Sequence, residues 1–176
     1  MRKIAIIVGS QSDLIQCVSG LCFLKELGDE VQVVGIYVRS QHRNMEDVKQ
    51  LLKELVSLKI DAVIVGAGWA NHLTGCCEAY LRYNLRSTDF PVIGVAFEDV
   101  KNERHTQAAI LSITEVPGTQ VVYQDDVIGF FIGINGFVRA CWFAAKSYLP
   151  EVSLPEPKPI MDLSLNDALV LLSQQN

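Results

Sequence analysis

Ile4-Ala5-Ile6-Ile7-Val8, followed at once by Gly9-Ser10-Gln11-Ser12-Asp13, is the stretch that decides the fold. An apolar run without polar alternation reads as a strand covered on both faces, as in a parallel sheet. The glycine and small polar residues behind it mark the carboxyl end of that strand. The same pattern recurs. β-Branched runs stand at residues 31–38, 62–65 and 91–97, with a weaker one at 120–123. Two of the intervals carry helical periodicity: Val18, Leu21 and Leu24 within 14–27, and Val48, Leu51, Leu52 and Leu55 within 45–58. Strand and helix alternate, which predicts an α/β domain with a doubly wound parallel sheet. Ligands of such folds bind at the carboxyl ends of the strands.

That rule selects three segments: residues 9–13, then Arg39-Ser40-Gln41-His42-Arg43, then Gly66-Ala67-Gly68-Trp69-Ala70-Asn71-His72-Leu73-Thr74-Gly75. In the first, Gly9 allows a tight turn, and Ser10 and Ser12 with helix N-terminal amides suit an anion. It is neither a dinucleotide fingerprint nor a P-loop with its lysine, so ATP and dinucleotides are not indicated. Asp13 repels phosphate but accepts hydrogen bonds from ribose hydroxyls. The plainer reading is a helix cap made by Ser12 or Asp13. In the second, Arg43 offers a forked permanent charge, Ser40 a donor, and His42 a side chain that changes protonation near neutral pH. A polar loop leading into the next helix is the alternative. In the third, Gly66, Ala67 and Gly68 let backbone amides approach a substrate, and His72 and Leu73 follow them in the chain. Glycines needed only for turns, with a structurally bonded His72, explain that segment equally well. His105 falls in the polar stretch 98–107 and reads as an exposed loop residue.

Composition narrows the class. The chain has 176 residues, 49% of them hydrophobic and 20% charged, with a net charge of -5. One domain accounts for that length, and its apolar fraction excludes a disordered chain. An acidic balance without a basic block argues against nucleic acid as a partner. No charge-free run reaches the ~18 residues of a spanning helix, so no membrane is expected. The apolar run after Met1-Arg2-Lys3 is too short for a signal peptide. The five cysteines form no C-x-x-C pair and no zinc spacing, as in a reducing cytoplasm, and no metal site is expected.

The chain divides into a core of residues 1–149 and an arm of residues 150–176. The arm opens with four prolines between residues 150 and 159 and ends in a short helix carrying Leu165, Ala168, Leu169 and Leu172, with Ser164 as its cap. Gly133, Gly136, Ala140 and Ala144 make a small-residue stripe, which lets another helix approach in the core or at a subunit interface. Residues 127–132 fit either a strand or the start of that helix.

These segments, in this order, resemble the PurE family, the carboxyaminoimidazole ribonucleotide mutases of purine biosynthesis. Residues 9–13 are similar to its G-S-x-S-D motif, Ser40-Gln41-His42-Arg43 to S-A-H-R, and residues 66–75 to G-A-G-G-A-A-H-L-P-G. Ile110-Leu111-Ser112-Ile113 with Pro117 resembles L-L-S-I-x-x-M-P. The resemblance covers residues 3–149. It implies a flavodoxin-like three-layer αβα sandwich in a homo-octamer, with terminal helices packed on neighbouring subunits. It implies a small ribonucleotide substrate and no metal, ATP or organic cofactor. In the implied reaction a carboxylate moves from the exocyclic nitrogen of aminoimidazole ribonucleotide to C4 of the ring. His42 is then the acid–base, Ser12, Ser40 and Arg43 hold phosphate, and Asp13 holds ribose. The glycine loop and His72 enclose the base.

Five departures stand out. Trp69 replaces a glycine of the family pattern, Asn71 an alanine, and Thr74 a proline. Residues 98–107 form a charged replacement for a shorter loop, and an insertion follows Gly118 through Asp126. The phosphate and acid–base motifs are kept, while the walls around the base differ. The H-L-x-G element sides with the mutases over the branch that takes up carbon dioxide directly. The departures leave open a carboxylase of another aromatic ribonucleotide, or a non-catalytic module of the same fold.

Overall fold

The computed structural model describes residues 1–174. Four parallel strands, β1 (Arg2–Val8), β2 (Val31–Val38), β3 (Ala62–Ala67) and β4 (Val92–Ala96), lie in the order β2-β1-β3-β4. Each strand is apolar on both sides because each side has its own helical layer. On one face Ile4, Ile6, Ile64, Ile93 and Val95 pack against α1 (Val18–Glu26) and α5 (Gly133–Lys146). On the other Ala5, Ile7, Val63, Val65 and Val92 pack among residues of α2 (Met45–Ser57), α3 (His72–Ala79) and α4 (Glu103–Thr114). The expected αβα sandwich is what forms, and Val48, Leu51, Leu52 and Leu55 are buried as their spacing predicted.

The weak fifth run becomes an interrupted strand. Val122 bridges to Ile93 and Ile132 to Ala96, both in parallel. Between them the chain leaves the sheet as a hairpin of β5 (Gln124–Asp125) and β6 (Gly129–Phe130). The insertion read from Gly118 through Asp126 overlaps the first half of this excursion. Residues 127–132 are therefore extended and turning backbone, and the helix starts only at Gly133.

Two expectations need correction, and one open alternative is settled between them. The helix predicted over 14–27 opens as a 3-10 turn, Gln11–Cys17, before α1 begins. A 3-10 turn advances the chain by a different angle per residue. The expected stripe loses its phase: Val18 is exposed, Leu21 half-buried, and Gly20 and Leu24 face inward. Secondly, the small-residue stripe is consumed within the chain. Gly133, Gly136, Ala140 and Ala144 are all buried, and α5 packs on α1 and the sheet. Thirdly, His105 is not in a loop. It stands in the first turn of α4, half-buried.

α3 runs on into a π-helical turn, Tyr80–Asn84, which buries Arg82. Its guanidinium meets both Glu78 oxygens at 3.0 Å and donates to the carbonyls of Ser87 and Phe90. This fastens the far end of α3 to the chain entering β4, and so fixes the helix whose first residue is His72. The arm follows α5, held by Gln120 to Ser153, and ends in α6 (Leu165–Ser173), none of whose side chains is buried. Among the described residues no helix is long and apolar enough to cross a membrane.

Candidate functional site

The loops after β1, β2 and β3 meet at one edge of the sheet and enclose a cleft of about 480 Å³. Backbone bonds hold them together. The Gly9 N–H donates to Gly66 O at 3.0 Å, and the Arg39 N–H donates to Val8 O at 2.9 Å. Gly9 is required here, since a Cβ at that position would press on Ala67.

Ser10, Ser12 and Asp13 line one side of the cleft. The Ser10 hydroxyl lies 2.9 Å from Asp13 Oδ2, donating to it, and 2.7 Å from Ser12 Oγ. Burial pushes the Asp13 carboxyl above its usual range, and hydrogen bonds from Ser10 and the Gly68 backbone offset part of that rise. Such a carboxylate gains from hydroxyl donors that replace lost water. It is suited to a ribose.

The second side comes from the turn after β2. Ser40 is buried, and its carbonyl accepts the N–H groups of Arg43 and Asn44. That closed turn thrusts Gln41, His42 and Arg43 outward into the cleft. Among the described residues the Arg43 guanidinium reaches only the Gly9 carbonyl, at 3.5 Å, leaving most of its donors available. The third side is Ala67, Gly68, Trp69 and Ala70, with Leu73 on the helix behind.

Two of the sequence-selected residues stand outside this lining. Gly66 lies lower, within β3, where a Cβ would strike the Phe97 ring. His72 lies behind His42: its Nδ1 is 3.1 Å from His42 Nε2, with the rings edge to face. The two imidazoles share one hydrogen bond. Asn71 and Thr74, the departures beside it, face inward. Asn71 donates to Val95 O at 2.9 Å and accepts from the Thr74 N–H at 3.2 Å, capping α3. They stiffen the base of the loop and leave the cleft unlined by either.

The residues missed from sequence are Gln41, Trp69 and Ala70 in the lining and His105 behind it. Trp69 carries a φ of +59°, the left-handed region that a glycine in the same place adopts freely. Its indole stacks on the His105 ring, with centroids 3.9 Å apart and planes at 20°. An indole replacing a glycine was the available signal. His105 gave none, because helix α4 carries it to Trp69 from a distant part of the chain. Among the described residues no cluster of His, Cys, Asp or Glu could hold a metal ion.

A family model described as AIR carboxylase matches residues 3–150. The N5-carboxyaminoimidazole ribonucleotide mutase of Saccharolobus solfataricus is 33% identical over 117 residues, 66% of this chain and 66% of that protein. The mutase of Thermotoga maritima is 29% identical over 67% of this chain and 62% of its own length. That of Pyrococcus abyssi is 28% identical over 159 residues, 90% of this chain and 79% of that protein. The matched part of this chain thus spans a little under two-thirds of the first two relatives. The crystal structure of Treponema denticola PurE is similar in fold, with a TM-score of 0.58 at 20% identity, over 84% of this chain and 89% of that one.

Proposed function

This chain belongs to the AIR carboxylase family, and on that premise we propose that it is an N5-carboxyaminoimidazole ribonucleotide mutase of purine biosynthesis. The observation that carries the reading is the single turn bearing His42 and Arg43. It presents a proton carrier and a phosphate-binding charge to one cleft, opposite Ser12 and Asp13. Phosphate rests on Arg43, Ser12 and Ser40, ribose on Asp13, and the heterocycle between His42 and the loop of Gly68. The exocyclic N–C bond breaks, its electrons stay on nitrogen, and carbon dioxide is released. Nitrogen takes a proton from His42. The ring carbon C4 then attacks carbon dioxide and returns its own proton to His42. Atoms and charge balance with one shuttled proton, and exclusion of water keeps the gas beside the carbon. With Nε2 engaged by His72, Nδ1 of His42 is the nitrogen left to face the substrate.

Absorbance assays test this. The N5-carboxylated ribonucleotide should be converted to its C4 isomer, and aminoimidazole ribonucleotide with bicarbonate alone should not react. Turnover with bicarbonate alone would assign a direct carboxylase, and turnover in neither assay would remove the proposal.

Arg43→Ala should weaken ribonucleotide binding about ten- to a hundred-fold, the worth of one charge-assisted phosphate contact. Arg43→Lys should recover only part, since an ammonium cannot reproduce the fork. Both variants should fold normally because Arg43 has only its long bond to Gly9 to lose. Wild-type binding by Arg43→Ala, measured calorimetrically, would misplace the phosphate.

The same reading includes a symmetric homo-oligomer, an octamer, with α6 lying on a neighbouring subunit. What supports it is that Leu165, Leu169, Val170 and Leu172 are each more than half exposed in the isolated chain. Light scattering should give a multiple of 19.5 kDa, and truncation after Lys158 should reduce it. A monomer at micromolar concentration would end this claim. The cytoplasm is the proposed location. All five cysteines are free, and burial pushes the Cys17 thiol up to about 12, as suits inert residues of a reducing compartment.

A further inference from the structure

Trp69 sets a physical problem. A tryptophan in left-handed backbone is strained where glycine would not be. Its side chain stays 66% exposed, so burial in the core does not compensate. What the indole does have is a built support. His105 lies flat against it, and His105 is held at both ring nitrogens. Nδ1 is 2.7 Å from Asp99 Oδ2, and Nε2 is 3.0 Å from the side-chain nitrogen of Asn102.

The tautomer follows from the helix cap. Asn102 Oδ1 accepts the Arg104 N–H at 3.2 Å, which fixes the amide with its NH₂ toward His105. Nε2 must therefore accept, and the proton sits on Nδ1, donated to Asp99. That hydrogen bond draws the Asp99 carboxyl below its usual range. The imidazole plane is thus set by two partners, and the indole plane is set by the imidazole. Trp69 lines the cleft and His105 does not, so the indole stands between its support and the cleft. A flat aromatic surface, braced from behind and presented beside a phosphate-binding turn, is what stacks a nucleotide base.

We propose that the Trp69 indole, backed by His105, is the stacking surface for the planar heterocycle of the ribonucleotide and determines which heterocycles the cleft accepts. This rests on the reading of the site given above. His105 acts through Trp69 as a positioning residue. The family pattern that residues 66–75 resemble has glycine at this position, so the indole surface comes with the Trp69 departure.

Intrinsic fluorescence tests the proposal. Trp142, the other tryptophan, lies on α5 outside the cleft, so Trp142→Phe leaves Trp69 as the sole indole. Aminoimidazole ribonucleotide should change its emission saturably, and ribose 5-phosphate should compete for the site without that change. Trp69→Gly relieves the backbone and should fold well. It should bind the ribonucleotide roughly five- to a hundred-fold more weakly, the range for one base–aromatic stack, and ribose 5-phosphate within twofold of wild type. His105→Leu should raise KM with little change in kcat, and should have no further effect in the Trp69→Gly background. Equal ribonucleotide binding by wild type and Trp69→Gly would overturn the stacking role while leaving the proposed reaction intact. If wild type binds AMP in a Trp69-dependent manner but ignores aminoimidazole ribonucleotide, the stack stands and the proposed substrate falls. If neither ribonucleotide binds, both fall.

Discussion

His42→Asn should fold, assemble and bind ribonucleotide as wild type does, yet turn over about 10²–10⁴-fold more slowly, the usual worth of a positioned acid–base. The reaction needs a group that gives a proton to nitrogen and then takes one from carbon. An imidazole does both near neutral pH, whereas an amide does neither. The fold should tolerate the change, because the His42 ring is exposed and its one protein partner is His72. His72→Asn removes that partner without touching the cleft lining, so its loss should be smaller and should appear as an altered pH profile of kcat. If His72→Asn abolishes turnover while His42→Asn keeps it within a few-fold, the shuttle belongs to His72. Full activity in both would remove the proton-transfer scheme altogether. Stopped assays at several pH values separate the three cases.

Gly136→Leu carries the largest expected structural effect: little or no soluble, cooperatively folded protein. A side chain at Gly136 meets the backbone of Phe131, not another side chain that could turn aside. Ordinary overpacking costs about 1–3 kcal/mol because rotamers and helices shift. Here the obstacle is main chain held by hydrogen bonds to Tyr123 and Ala96 at the interrupted fifth strand. The penalty should therefore exceed that range and use up much of a stability of about 5–15 kcal/mol. Denaturant titration of whatever remains soluble measures it. A variant that unfolds at the wild-type midpoint but scatters as a smaller particle would show instead that the stripe serves contacts between subunits.

Much of this architecture was legible because strands buried on both faces leave an unmistakable apolar run, and because ligand loops must follow such runs. The limits of β2, the inward face of α2, and the cleft residues Ser12, Asp13, Ser40, His42 and Arg43 all follow from that logic. The rest depends on geometry that periodicity does not encode. A 3-10 turn ahead of α1 rotates the face expected from Val18. Small residues at helical spacing say that something approaches α5 closely, but not that it is the same chain. The Trp69–His105 stack joins loop to helix through tertiary placement, so local sequence shows two unrelated residues. Asn71 and Thr74 read as replacements of an alanine and a proline in the wall of the base site, but their polar groups turned inward and found each other.

That last pair bears on how such a loop can change over time. Thr74 Oγ1 lies within hydrogen-bonding distance of both Val65 O and Asn71 Oδ1, and its N–H already donates to the latter. Both residues are fully buried. Starting from the alanine and proline of the family pattern, an asparagine arriving first buries an amide oxygen with no donor. A threonine arriving first buries a backbone N–H with no acceptor. Either intermediate carries a penalty of about 1–3 kcal/mol that the second substitution cancels. The two positions are therefore epistatic, and each now blocks reversion of the other, so a lineage that has crossed this barrier is retained on its far side.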